Sequence, residues 1–224
     1  FGYQLSDYAQ LFEEKLELLM ELLKEKPVTW SGSIRPSLNN QEVYPKTEGG
    51  SIGIRVGVGG SPESVMRAAR LGIPLALAII GGDPARFAPF SKLYRMALAE
   101  QGKPELPVSI HSPGHIAETD EQAIEEMWPC YLESFGRIGR ERGWGETSKD
   151  HFVSEVRYGS MYVGSPETVA AKITHALTSV SASRFDLKYA NGTMPHSKLM
   201  NTIRLYAEEV APRVRAAVEK ESAA

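Results

Sequence analysis

The run Val56-Gly57-Val58-Gly59-Gly60-Ser61-Pro62-Glu63-Ser64, continued by the apolar stretch Ile73-Pro74-Leu75-Ala76-Leu77-Ala78-Ile79-Ile80 and then Gly81-Gly82, decides the fold. A β-branched strand, Ile52 to Val58, runs into two glycines, and a helix opens with Ser61 at the cap and Pro62 at its first position. That helix extends to Leu71 and leads into a second strand, Ile73 to Ile80, which is apolar on both faces. A strand with one wet face alternates; an unbroken apolar strand belongs in a parallel sheet covered on both sides. Strand, helix and strand in this order make a right-handed βαβ unit.

The same alternation continues outward. Ala85 to Gln101 has helical spacing, Leu106 to Ile110 is strand-like, and Asp120 to Arg140 is helical again. Ser165 to Leu177 is a helix, Arg184 to Tyr189 a strand, and Pro195 to Val218 a long closing helix. Upstream, Tyr8, Leu11, Phe12, Leu16, Leu19, Leu22 and Leu23 mark an amphipathic helix from Leu5 to Lys24. Val28-Thr29-Trp30 and Glu42-Val43-Tyr44 flank a Gly-, Pro- and Asn-rich stretch and read as a short hairpin excursion over residues 28–45. Residues 141–159, with Gly143 and Gly145 near their start, show little periodicity and read as a loop or lid over one face. About four βα units are present, half of the eight that close a barrel. The expected fold is therefore α/β, about the second half of a TIM (β/α)8 barrel, in one domain over residues 1–224. The chain begins at Phe1 rather than at a methionine, so a preceding segment is expected to supply the missing strands.

Composition narrows the function. With 25 Lys and Arg against 28 Asp and Glu, a net charge of -3 argues against nucleic acid or an anionic membrane surface as partner. The single cysteine, Cys130, has no disulfide or metal-site partner, and neither a membrane-length apolar run nor a leader pattern is present. These features point to a cytoplasmic protein. No metal-ligand spacing is found.

The glycine turn is the strongest chemical signal. Glycines let backbone amides approach a ligand, and the free N–H groups of the helix that follows favour a phosphate. Gly59, Gly60, Ser61 and Ser64 are the candidate cradle. A bare cap with no ligand explains the same residues equally well, and the chain carries its own control. Val163-Gly164-Ser165-Pro166-Glu167-Thr168 repeats the pattern without the second glycine, and reads as a structural cap. Gly81 and Gly82 leave room for a flat ring or substrate at a strand end, although an ordinary turn before a helix that begins near Pro84 explains them as well. His111, Ser112, Gly114 and His115 fall beyond the strand ending at Ile110 and would project from the same face, although a loop histidine is more often solvated than catalytic. Lys188 or Tyr189, at the end of the last strand, could reach a central cavity; a Lys188 that faces solvent or pairs with a carboxylate such as Asp186 is the plainer alternative.

Taken together, Phe1 to Lys24, Val28 to Gly32, Val56 to Ser64, Ala68 to Leu75, Gly114 to Thr119 and Arg184 to Tyr189 resemble the bacterial luciferase-like family of flavin-dependent oxidoreductases. The resemblance implies a luciferase-like TIM barrel that uses reduced FMN, or a deazaflavin in some branches, as a cosubstrate to act on a small organic molecule. It implies that Gly59, Gly60, Ser61 and Ser64 hold the flavin phosphate, that Val58 packs near the flavin ring, and that Ile79 and Gly81 line the ring pocket. Gly60 stands where luciferase itself has an acidic residue. The resemblance also implies a homodimer and a flavin reductase as the source of reduced flavin. The family's catalytic histidine falls upstream of Phe1, so no catalytic residue is assigned. The expected function is a flavin-dependent monooxygenase; the alternatives are a deazaflavin-dependent hydride-transfer enzyme and a non-catalytic flavin-binding relative.

Overall fold

The structure is a computed structural model that describes residues 4–47, 52–143, 145 and 147–222. Phe1, where the resemblance begins, lies outside these residues, as do residues 144 and 146 of the stretch expected to form a loop. Contacts within the chain form two compact units, Phe1–Ile54 and Arg55–Ala224.

The first unit holds helix α1 (Tyr8–Leu22) and an antiparallel pair, β1 (Val28–Trp30) and β2 (Leu38–Gln41). The hairpin's second arm is thus Leu38–Gln41 rather than Glu42 to Tyr44, with Val28 opposite Gln41 and Trp30 opposite Leu38. Glu14 of α1 ties the loop between the strands: its carboxylate accepts the N–H groups of Ser33 (2.8 Å), Ile34 (3.1 Å) and Arg35 (3.1 Å) and the Ser33 hydroxyl (2.8 Å). Desolvation works against the charged form, but these hydrogen bonds overcome it and hold the carboxyl at about 2. A carboxyl depressed on folding stabilises the unit fully above its unfolded value of 4.5 and loses that contribution as the pH falls toward 2. Protection of the Ser33, Ile34 and Arg35 amides relative to their intrinsic exchange rates should therefore fall between pH 4.5 and 2, and Glu14→Gln should show the lower protection already at neutral pH. Protection unaffected by either change would remove Glu14 as the loop's anchor.

The second unit is the α/β body. Strand β3 (Val56–Val58) leads into α2 (Pro62–Leu71), β4 (Leu75–Ala78) into a 3-10 turn and α3 (Ala88–Glu100), and β5 (Val108–Ile116) into α4 (Asp120–Arg142). Helix α5 (Lys149–Tyr158), β6 (Tyr162–Gly164), α6 (Pro166–Val180) and β7 (Arg184–Lys188) follow. The chain closes with α7 (His196–Leu205), a π-helical turn and α8 (Ala211–Ser222). All four pairings in this sheet are parallel, in the order β3-β4-β5-β6, with β7 also on β5. Among the described residues β3 pairs only with β4 and β7 only with β5, so the sheet is an open part of a barrel.

Two expectations are corrected here. Strand β5 does not end at Ile110 but runs to Ile116, because three strands share it: β4 along Val108 to His111, β7 along Ser109 to Pro113, and β6 along Gly114 to Ile116. His111, Ser112, Gly114 and His115 are therefore strand residues, not loop residues. The stretch 141–159 is largely helical, since Ser148 caps α5 by accepting the His151 N–H and the helix buries Phe152 and Val156. The second Ser-Pro-Glu copy also has a strand before it, the short β6.

Apolar burial holds this body together. Leu75, Leu77, Ile79 and Ile110 are fully buried, as are Val65, Ala68 and Ala69 of α2, and each large side chain contributes about 1.5–3 kcal/mol. The exposed ion pairs, such as Arg213 with Glu209, add about 0–1 kcal/mol each and do not decide the fold. A second cluster joins α4, α5 and β6 through Met127, Tyr131, Phe152, Val156 and Met161. No described helix is long and apolar enough to cross a membrane.

Candidate active site

A cavity of about 630 Å3 opens at the C-terminal ends of β3 and β4, the face on which parallel α/β folds place their ligands. Gly59, directly after β3, and Ala78, Ile80 and Gly81, at the end of β4, form one part of its wall. Facing them are, among others, Tyr131 and Phe135 of α4, His151 and Glu155 of α5, and Met161 just before β6. Its size falls within the roughly 300–1,000 Å3 of small-molecule sites, and its wall is mainly apolar with few polar groups, as such sites are. Tyr131 stacks on Phe135 with centroids 4.3 Å apart and planes 20° from parallel, so the α4 wall offers flat aromatic surface.

The glycine turn lies where the sequence places it. Gly59 lines the cavity, and a Cβ added there or at Gly81 would meet nothing within 4 Å. Val58 is buried in the sheet, and Gly60 has a φ of +120° that favours glycine. Ile79 is fully buried, and it is Ile80 that faces the cavity. The alternation of β4 in burial continues past its end, with Ala78 and Ile80 on the cavity side, so Ile79 supports the wall from behind rather than lining it.

Ser61 caps α2, its hydroxyl accepting the Ser64 N–H at 3.3 Å and donating to Glu63 at 2.7 Å. The hydroxyl is thus committed to an acid of its own helix, and would have to turn from Glu63 to meet a phosphate. The second copy shows what a purely structural cap looks like. There the carboxylate of Asp120 accepts the Ser165 N–H at 2.6 Å and the Thr168 hydroxyl at 2.8 Å, filling the N-terminus of α6 with an anion from the chain itself.

Glu155 went unrecognised in the sequence. Its carboxylate accepts the N–H groups of Gly82 (3.0 Å) and Ser160 (3.3 Å), pinning the Gly81-Gly82 turn to α5. Nearby, the Lys172 ammonium donates to the carbonyls of Met161 (2.8 Å) and Val156 and lies 5.3 Å from the centre of the Tyr162 ring. Burial lowers Lys172 to about 8, and the negative charge of Glu155 only partly offsets this. His151 sits one helical turn before Glu155 and faces the same cavity. The signal available was Ser148 followed by Phe152 and Val156 at helical spacing.

His115 has a structural task. It is fully buried, with Nε2 2.8 Å from the Glu126 carboxylate and Nδ1 2.9 Å from the Thr202 hydroxyl. Burial disfavours its charged form, more than Glu126 favours it. A carboxylate only accepts, so neutral His115 carries its proton on Nε2 and takes the Thr202 proton on Nδ1. The ring thereby binds β5 to α4 and α7. His111 is an exposed residue within β5 and does not line the cavity. Among the described residues no cluster of acids, histidines and cysteines is arranged to hold a metal.

Residues 1–184 match the sequence profile of the luciferase-like monooxygenases. The chain belongs to this family. Comparison with curated proteins gives no significant match. Solved structures of low identity share the fold of this luciferase-like chain. A monooxygenase from Streptomyces bottropensis superposes with a TM-score of 0.76 at 20% identity, over 93% of this chain and 62% of its own. The oxygenating constituent of 3,6-diketocamphane monooxygenase from Pseudomonas putida, solved with FMN, gives 0.70 at 16% identity, over 96% and 69%. A coenzyme F420-dependent tetrahydromethanopterin reductase from Methanopyrus kandleri gives 0.60 at 16%, over 90% and 63%. The luciferase-like chain thus spans 62% to 69% of the length of these three proteins. The luciferase-like family comprises flavin- or F420-dependent monooxygenases and oxidoreductases, and the fold is the luciferase-like α/β type with a parallel sheet.

Proposed function

We propose that this chain is part of a flavin-dependent monooxygenase that uses reduced FMN and dioxygen on a small organic molecule. The observation that carries the reading is the open cavity into which Gly59 and Gly81 present backbone without a side chain, at the strand end that opens α2. The residues present fit a flavin: Gly59, Gly60, Ser61 and Ser64 would take its phosphate at the helix N-terminus, and Ile80, Gly81 and the Tyr131-Phe135 wall would take its ring. Bound there, reduced flavin would supply the two electrons with which one atom of dioxygen enters the substrate and the other leaves as water. The chain's own part is to hold the Gly81-Gly82 turn through Glu155 and to exclude water with an aromatic and aliphatic wall.

A deazaflavin-dependent hydride transfer on the same scaffold is the second reading, favoured by the F420-dependent reductase among the structural neighbours. The match to the luciferase-like monooxygenase profile, and a structural neighbour solved with FMN, support the first. Anaerobic titration with reduced FMN and, separately, with reduced F420 tests both, and the cofactor bound more tightly decides between them. Ser61→Asp preserves the cap, because aspartate is among the best N-cap residues, yet sets a carboxylate against the phosphate. FMN affinity is expected to fall at least about tenfold, or about 1.4 kcal/mol, with helix content unchanged. An unaltered affinity would remove the phosphate from this turn.

A further inference from the structure

The two Ser-Pro-Glu caps of this chain meet an anion in different ways. At α6 the anion comes from another helix: the Asp120 carboxylate of α4 accepts the Ser165 N–H at 2.6 Å and the Thr168 hydroxyl at 2.8 Å. Ser165 makes no use of the acid two residues on, and its hydroxyl donates to Thr168 at 3.2 Å rather than to Glu167. At α2 no acid arrives from elsewhere. Among the described residues the N–H groups of Gly59, Gly60 and Ser61 have no acceptor, and Gly59 lines the cavity, so these amides border space for a ligand. Here the acid two residues on has turned back, and Glu63 accepts the Ser61 hydroxyl at 2.7 Å.

That hydrogen bond, and one from its own backbone N–H, hold the Glu63 carboxyl below its ordinary range, so it is ionised at neutral pH. A serine hydroxyl has one proton to give. The Ser61 oxygen already accepts the Ser64 N–H at 3.3 Å, and its proton is on Glu63. A phosphate oxygen at this turn therefore takes that proton only by breaking the Ser61-Glu63 bond, and it then lies beside a second negative charge.

We propose that Glu63 is a specificity-determining residue of the turn: its carboxylate stands in for a phosphate at Ser61 and must release the hydroxyl before a phosphate ester takes it. The charge narrows the advantage of a phosphorylated ligand over the same ligand without its phosphate. The proposal rests on the reading of this turn as a phosphate cradle; it does not need the phosphate to belong to a flavin.

Calorimetric titration of the chain and its Glu63→Gln variant with FMN, riboflavin and inorganic phosphate tests this. Glutamine keeps an oxygen that accepts the Ser61 hydroxyl and removes only the charge, so FMN should bind at least about tenfold more tightly at low salt. Riboflavin, which has no phosphate, should bind as it does to the parent. Inorganic phosphate should gain as FMN does, with shifts in the amide signals of Gly59, Gly60 and Ser61. The gain should shrink as salt is added, because screening removes an effect of charge and leaves one of packing. Glu63→Asp, which keeps the charge, should show no such gain. A gain shared equally by riboflavin, or FMN and phosphate affinities indifferent to the charge at residue 63, would overturn the proposal. If inorganic phosphate behaves as stated while FMN binds neither form, the flavin reading falls and the role of Glu63 stands; if FMN binds both forms alike, the role of Glu63 falls and the flavin reading stands.

Discussion

Gly114→Ala is expected to destabilise the chain by about 3 kcal/mol, the upper end of the range for overpacking a filled interior. A Cβ at Gly114 would sit 2.3 Å from the Tyr162 carbonyl oxygen, 3.0 Å from its carbonyl carbon and 2.6 Å from the Leu187 Cδ1. The leucine tip can rotate aside. The carbonyl cannot, because Gly114 and Tyr162 are register partners in the β5-β6 ladder and moving one separates the strands. For a chain of this size, about 3 kcal/mol corresponds to a fall of about 6 to 12 °C in the unfolding midpoint. The effect should reach the site as well, since Met161 precedes β6 and lines the cavity. Urea unfolding with parallel FMN titration reads both; a variant as stable as the parent would mean that β5 and β6 are not in contact at Gly114.

The parts legible in the sequence were those written in local chemistry. Ser61 and Pro62 mark the start of α2 by capping and fixed φ, a signal that acts within one turn. The apolar run from Ile73 to Ile80 announces a strand covered on both faces, but for that reason carries no phase. Alternation is what tells inward from outward, and without it nothing local distinguishes buried Ile79 from cavity-lining Ile80. Helix α5 stayed hidden because only Phe152 and Val156 are fully buried among ten residues, too few to outweigh the glycines before it. The position of Glu155 depends on contacts 73 residues away at Gly82, which no local pattern encodes. Strand β5 was cut short because His, Ser, Pro and Gly read as loop residues, while its three strand partners make it the centre of the sheet. Tertiary pairing overrides strand propensity in such a place.

Glycines of the same turn should respond in opposite ways, and this gives the sharpest test of the cofactor site. Gly60 holds a φ of +120°, so Gly60→Ala strains the backbone by about 1–3 kcal/mol whatever binds there. Gly59 lies outside the left-handed region, and a Cβ on it would point into open space. Gly59→Leu therefore asks little of the fold, and its stability should stay within about 0.5 kcal/mol of the parent. The leucine side chain would instead occupy the cavity beside Ile80 and Gly81, where the flavin ring and phosphate are placed. FMN affinity should drop about a hundredfold or more, or about 2.7 kcal/mol. A stable Gly59→Leu variant that binds FMN as the parent does would show that the cofactor lies elsewhere, and the phosphate cradle would revert to a helix cap like the one Asp120 fills at α6.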